Sequence, residues 1–341
     1  MSPSITEAAQ PNIRNPYGYF DVANREYVIN RPDTPTPWIN YLGEGRYGGI
    51  ISNTAGGYSF DRDPRNRRVT RYRYNAIPAD QPGRYIYLRD QDSGEYWSPT
   101  WQPVVGRQLE AYECRHGAAY TRISSTYQGI SASLLYFVPP DSPLPPGGPA
   151  PAAPRGADRS RMREAPCEVW VLRVKNLGDR PRRLRSFSYA EFSFYDAVID
   201  QQNLDWGMHI VHSRQVEGTI YVSTLFRPTV SFFSSNAAIA GFDGDREMFI
   251  GRCRDLANPV VVETGQPCNS ESPRGNSIGS LCHDLTLSPG EEKEIIYIMG
   301  ATDDRAAIAP ALARYRDPGN VQAAFQALRA DWDAYLSHFT V

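Results

Sequence analysis

The feature that most constrains this chain is its rhythm. Between residues 17 and 137, short runs rich in aromatic and β-branched residues, among them YVIN, GGIISN, RVTRYRYN, GRYIYLRD, AYTRI and ISASLLYFV, are separated by glycine, proline, asparagine and aspartate. Such residues suit a pleated, half-buried surface, and turn formers at such short intervals leave no room for long helices. The segment RYRYN alternates charge with rings at period two, and RYIYLRD, QDSGE and YWSPT read as two strands around a glycine-containing turn. Half-buried antiparallel strands follow from both.

The rhythm breaks once, at residues 139–166. PPDSPLPPGGPAPAAPRGADRSRMREAP has no periodicity and too little apolar surface to offset the entropy of ordering, so it reads as a disordered insertion between two strands. Strand patterning resumes with CEVWVLRVKN, RRLRSFSYAEFSF, GTIYVSTLF and TVSFFSS, then CHDLTLSPGEEKEIIYIMG, where SPGEE makes a tight turn between two strands. A length of 341 residues suits about two domains or one unusually large β-rich one. The pattern favours one large β-domain over 17–300, preceded by a flexible tail at 1–16.

After residue 300 the period switches to a helical one. TDDRAAIAPALARYRD opens on cap-like Thr302 and Asp303, and Pro318-Gly319 supplies a stop. Val321, Phe325, Leu328, Trp332, Tyr335, Leu336 and Phe339 then form one apolar stripe. That stripe needs a partner, either the β-domain itself or a further helical domain or subunit. Residues 301–341 are therefore read as a helical linker.

Composition removes several classes of function. The 36 basic and 38 acidic residues leave a net charge of -2, so no global field attracts nucleic acid or anionic lipid. Lys175 and Lys293 are the only lysines, which leaves few candidates for Schiff-base chemistry. No basic start precedes an apolar core, and no run of ~18 apolar residues occurs, so the expectation is a cytoplasmic protein without a membrane span. The cysteines Cys114, Cys167, Cys253, Cys268 and Cys282 are odd in number and contain no C-x-x-C pair, which reads as small buried thiols rather than disulfides or a zinc site.

Two stretches carry the residue types of a binding site. From Arg31 to Asn75, aromatic rings alternate with asparagine, aspartate and arginine. Flat rings stack on sugar faces and planar polar groups grip hydroxyls, yet the same alternation also builds ordinary surface ladders. In SFSYAEFSFYDAVIDQQNLDWGMH, Glu191, Asp196, Asp200, Asn203 and Asp205 lie close together. Paired carboxylates serve as acid and base in glycoside chemistry, though solvated or capping groups give the same pattern. Asp196 and Asn203 are the candidate ligand contacts. His209 and His212 would point to opposite faces of a strand, which argues against a metal site. His116 and His283 read as packed or hydrogen-bonded groups. No G-x-G-x-x-G, P-loop, G-x-S-x-G or H-E-x-x-H occurs.

Four ordered motifs resemble a known family. YGYFDVANREYVINRPDTPTPWINYLG (17–43), ISNTAGGYSFDRDPRNRRVTRYRYN (51–75), YECRHGAAYTRI (112–123) and AIAGFDGDREMFIG (238–251) resemble the N-terminal portion of cellobiose and chitobiose phosphorylases, glycoside hydrolase family 94. The resemblance implies a mainly β fold, a galactose-mutarotase-like β-supersandwich followed by a short helical linker. It further implies an (α/α)6 barrel, beyond this sequence, that carries the active site. Those enzymes cleave a β-glucosidic bond with inversion. A carboxylic acid protonates the leaving oxygen and inorganic phosphate, a co-substrate rather than a cofactor, attacks unaided.

No catalytic residue and no metal ligand carries over to this chain, so it is expected to be inactive alone. Its expected partners are a β-linked disaccharide or oligosaccharide and either a second copy or a separate barrel-bearing chain. In the family, the β-domain of one subunit borders the other's active site near the acceptor sugar. The matching segment here is YDAVIDQQNLDW, in which Asp196 and Asn203 stand at polar positions. Leu204, Asp205 and Trp206 replace the family's usual aromatic, glutamine and arginine. A free-standing carbohydrate-binding or scaffold protein, and a mutarotase-like epimerase with a histidine and carboxylate facing one pocket, are the alternatives.

Overall fold

A computed structural model describes residues 15–43, 45–73, 80–140, 164–193, 196–202 and 209–338. Among them, antiparallel ladders build three sheets. The largest runs, in spatial order, β1 (Gly18–Asp21), β2 (Glu26–Ile29), β8 (Ala111–Gly117), β9 (Tyr120–Tyr127), β10 (Ile130–Phe137), β11 (Cys167–Asn176), β18 (Glu292–Thr302), β15 (Arg227–Ser235), β14 (Thr219–Thr224) and β13 (Val211–Val216). The second runs β16 (Gly241–Asp245), β17 (Ser277–Leu287), β12 (Arg182–Glu191), β6 (Tyr85–Asp90) and β7 (Tyr96–Trp97). A small third sheet holds β3 (Ile39–Leu42), β4 (Tyr47–Ser52) and β5 (Gly57–Asp61).

Period-two alternation divides each central strand between two cores. On β11, Trp170, Leu172 and Val174 enter the core shared with the second sheet, while Val169 and Val171 face the other way. A row of rings crosses the large sheet inside that core. Tyr136 lies 5.8 Å from Trp170, Trp170 lies 6.2 Å from Tyr297, and Phe233 is stacked on Tyr297 at 5.8 Å. The SPGEE turn joins β17 to β18 as expected, but its two strands part into different sheets, so the turn crosses between layers.

The outer face of the large sheet is covered by two helices, α4 (Ile308–Tyr315) and α5 (Pro318–Leu336). Ile308, Leu312, Tyr315, Val321 and Leu328 pack on Phe137, Val169, Ile296 and Ile298 in a second core. Each such side chain removed from water contributes about 1.5–3 kcal/mol, which holds the helices down. The stripe thus docks on the β-domain. Toward the end of α5 the burial fades, and Tyr335 is 59% exposed; Phe339 lies outside the described residues.

Four local expectations are corrected. Residues 68–73 of RVTRYRYN join no ladder and make only isolated bridges, Phe60 with Arg68 and Thr70 with Phe192. Arg71 and Arg73 turn into ion pairs instead, while Arg68 donates to the Pro64 carbonyl at 2.7 Å and stacks on Tyr58. Pro318-Gly319 is not a stop but the start of α5, capped by Asp317, whose carboxylate accepts from the Asn320 N–H at 2.9 Å. Proline at the first helical turn has no N–H to strand and a φ already suited to the helix. Asp304, rather than Thr302 or Asp303, caps the preceding turn through the Ala306 N–H. Of the five cysteines expected to be buried, Cys253 and Cys268 are exposed, while Cys114, Cys167 and Cys282 are buried. Nearly all of the proline-rich insertion lies outside the described residues.

Candidate functional site

One end of the sandwich gathers loops around the tail of β12. Asp196 stands there as a half-buried helix cap. Its Oδ1 accepts from the Val198 and Ile199 N–H groups, each at 2.9 Å, and so starts the short helix α1 (Ala197–Gln202). The Ala197 N–H donates to the Arg65 carbonyl at 2.8 Å, and Arg227 Nη1 donates to the Asn66 carbonyl at 3.2 Å. Beside them the β14–β15 turn exposes Leu225 and Phe226, 68% and 64% accessible.

What holds α1 in place is a buried ion network. Arg71 makes a two-pronged pair with Asp200 of α1, through Nε at 2.8 Å and Nη2 at 2.7 Å. Its Nη1 donates to Asn276 Oδ1 at 2.8 Å and lies 3.7 Å from Glu191. Glu191, the last residue of β12, is buried beneath them. It accepts from the Tyr189 hydroxyl at 2.6 Å, from Arg246 Nε at 2.8 Å and from Arg73 Nη2 at 3.4 Å. Arg246 opens the helix α2 (Arg246–Ile250), whose cap is Asp245 and which the short helix α3 (Val260–Thr264) follows in the chain.

Burial pushes the Glu191 carboxyl upward, but Arg246, Arg71 and Arg73, with the Tyr189 hydroxyl, outweigh it and hold it at about 2. A carboxyl ionised down to that pH carries no proton to give near neutrality. Glu191 is therefore a positioning group that fixes three guanidinium groups, one of which fixes α1. The fork geometry of arginine suits such a role, because each edge can serve a different acceptor.

The sequence candidates are thus partly brought together. Asp200 and Glu191 meet through Arg71, and Asp196 sits at the start of the same helix; Asn203 and Asp205 lie outside the described residues. The signal for the hub was present in YAEFSF, where an acidic residue interrupts an otherwise buried strand. Its partners come from residues 71, 73 and 246, and nothing local announces them.

The aromatic cluster of 31–75 is largely packed rather than presented. Tyr47 is buried, Trp38 lies edge-on to Tyr17 at 5.7 Å, and Arg68 stacks on Tyr58 at 3.7 Å. His116 bonds Thr121 at 2.9 Å and the Trp38 carbonyl at 3.0 Å, and His283 bonds Ser235 at 2.8 Å. Burial lowers both to about 4, leaving them neutral core groups. His212 lies on β13 and bonds Ser223 at 2.9 Å. Among the described residues no trio of His, Cys, Asp or Glu is arranged to hold a metal ion, and no helix is long and apolar enough to cross a membrane.

A mainly β supersandwich with a helical pair on its outer face, and loops pinned by arginines at one end, is the class that these features define. Comparison gives the family. The profile of the glycosyl hydrolase 94 supersandwich domain matches residues 25–145 and 162–318, and the chain belongs to that family.

An N,N'-diacetylchitobiose phosphorylase of Vibrio proteolyticus is 39% identical over 95% of this chain and 38% of its own length. A solabiose phosphorylase of Paenibacillus borealis is 26% identical over 95% of this chain and 40% of its own. Among solved structures, a bacterial glucoamylase complexed with acarbose aligns with a TM-score of 0.49 at 11% identity, covering 91% of this chain and 39% of that one. The chain spans about 38% of the length of the chitobiose phosphorylases that it matches.

Proposed function

We propose that this chain is the N-terminal supersandwich module of an inverting phosphorylase for a β-linked disaccharide, a cytoplasmic enzyme that uses inorganic phosphate as co-substrate. The observation that carries the reading is the family match over most of the chain, joined to relatives named as disaccharide phosphorylases that extend well beyond it. In this reading the loop end of the sandwich borders the acceptor sugar at the active site of a catalytic barrel. That barrel belongs to a second copy of the enzyme or to a separate chain. Asp196 and Asn203 shape the acceptor side, and the Arg71–Asp200 pair holds residues 196–202 in register. The exposed Leu225 and Phe226 support an assembly contact at the same end.

The test is reconstitution. Mixed with a barrel-bearing chain, this module is expected to restore phosphate-dependent release of a sugar 1-phosphate, while neither it nor the barrel releases any alone. Full activity of the barrel without the module would overturn the proposal.

A further inference from the structure

A second feature lies on the other side of Glu191. There Arg73, Gln81, Arg246 and Asp255, with Pro82, Pro103, Val105, Leu256 and others, line an open cleft of about 280 Å³. We propose that this cleft is a binding site for a neutral sugar ring, formed entirely by this chain. The inference stands on the cleft alone and goes beyond the assembly proposed above.

Arg73 and Arg246 each direct one nitrogen at Glu191, and their side chains remain 40% and 27% exposed. A shared, fully buried carboxylate sets both planes before any ligand arrives, which cuts the entropy cost of binding. Gln81 is fixed likewise, its Nε2 donating to Gln102 Oε1 at 3.0 Å, and its own Oε1 accepts from none of the described residues. Asp255 uses Oδ1 on the Ala257 N–H at 2.8 Å, and its Oδ2 likewise accepts from none of the described residues. Two donors and two acceptors thus meet in one cleft, and sugar hydroxyls, which both donate and accept, can use all four.

Charge and shape narrow the ligand further. Arg73 and Arg246 are balanced by Glu191 and Asp255, so an anion meets no net attraction there. Pro82, Pro103 and Leu256 supply apolar wall for the C–H face of a ring. A volume of about 280 Å³ lies just below the ~300–1,000 Å³ range of ligand pockets, which suits one ring rather than a long chain.

The experiment titrates this chain alone with glucose and with N-acetylglucosamine, read by calorimetry and ligand-observed NMR. Saturable binding of at least one sugar is expected, with no competition from inorganic phosphate or glucuronate. Arg73→Ala, Gln81→Ala and Asp255→Asn should each weaken binding by about tenfold, the loss of one charge-assisted or fixed hydrogen bond. Their circular dichroism should match that of the parent chain, which separates lost contacts from lost fold. Absence of binding for both sugars, equal binding by all three variants, or displacement by phosphate would each overturn the proposal. None of these results depends on a catalytic partner, so the assembly reading is tested separately.

Discussion

Two fully buried glutamates, Glu168 and Glu191, answer the same physical problem in opposite ways. Glu168, near the start of β11, pairs with one arginine, Arg84, whose Nε donates at 2.7 Å. Trp170 Nε1 at 2.7 Å and the Ser59 hydroxyl at 2.5 Å complete its shell. Arg84 spends its remaining edges on the Ile50 carbonyl at 3.0 Å and on Ser59 at 2.6 Å. No space is left: a Cβ on Gly49 would sit 2.7 Å from Arg84 Nη2.

Glu191 instead serves three arginines, two of which reach a cleft and one of which reaches α1. The sealed pair joins β4 and β5 of the small sheet to β11 of the large one. The open cluster leaves donor edges for a helix and for solvent. Arginine–carboxylate pairing thus takes two forms here, a bridge sealed in the core and a cluster whose donor edges face a cleft.

Breaking the sealed pair should have the largest effect. Arg84→Met strands a buried charge and is expected to cost about 3–5 kcal/mol, read as a fall in the urea midpoint. Glu191 is tested next by acid. Its value of about 2 lies below the ordinary 4.5, so its contribution is complete above about pH 4.5 and is lost as pH falls through 2. That contribution is about 3 kcal/mol by linkage, and Glu191→Gln should flatten this part of the profile.

Other groups act at higher pH. His116 and His283, lowered to about 4 from 6.5, remove stability as pH falls across that interval. Asp80 and Asp243, raised by burial to about 6 from 3.8, restore some of it over the same range. A profile of Glu191→Gln that differs from the parent chain only near pH 6 would contradict the assignment.

Asp200→Asn should come third, at about 1–3 kcal/mol, because Arg71 keeps Glu191 and Asn276. Its signature is local, with faster hydrogen exchange at 197–202 and little change elsewhere. Phe226→Ser should shift stability by no more than ~0.5 kcal/mol, since the ring is exposed, while weakening assembly in sedimentation measurements.

Much of this architecture was legible because it repeats locally. Period-two runs marked β6, β10, β11 and β15, and the change of period at residue 300 anticipated the helices. What the sequence hid is non-local. RVTRYRYN looks like a strand until Arg71 finds Asp200, a partner 129 positions away. Pro318-Gly319 serves equally as stop and start, and only Asp317 beside it decides. Glu191 stood in view among neighbouring carboxylates, but its role depends on arginines from three separated segments. Asp196 was legible as a polar group, and its capping bonds follow from the helix after it.

The role proposed for the Glu191 cluster is to position residues 196–202 for the acceptor side of a phosphorylase. Its most direct test compares the parent module with Asp200→Asn, each reconstituted with a catalytic barrel and assayed in the synthetic direction. The account predicts a several-fold rise in KM for the acceptor sugar, with kcat and the KM for sugar 1-phosphate unchanged. Equal acceptor KM values for the two modules, in a complex that is otherwise active, would contradict it.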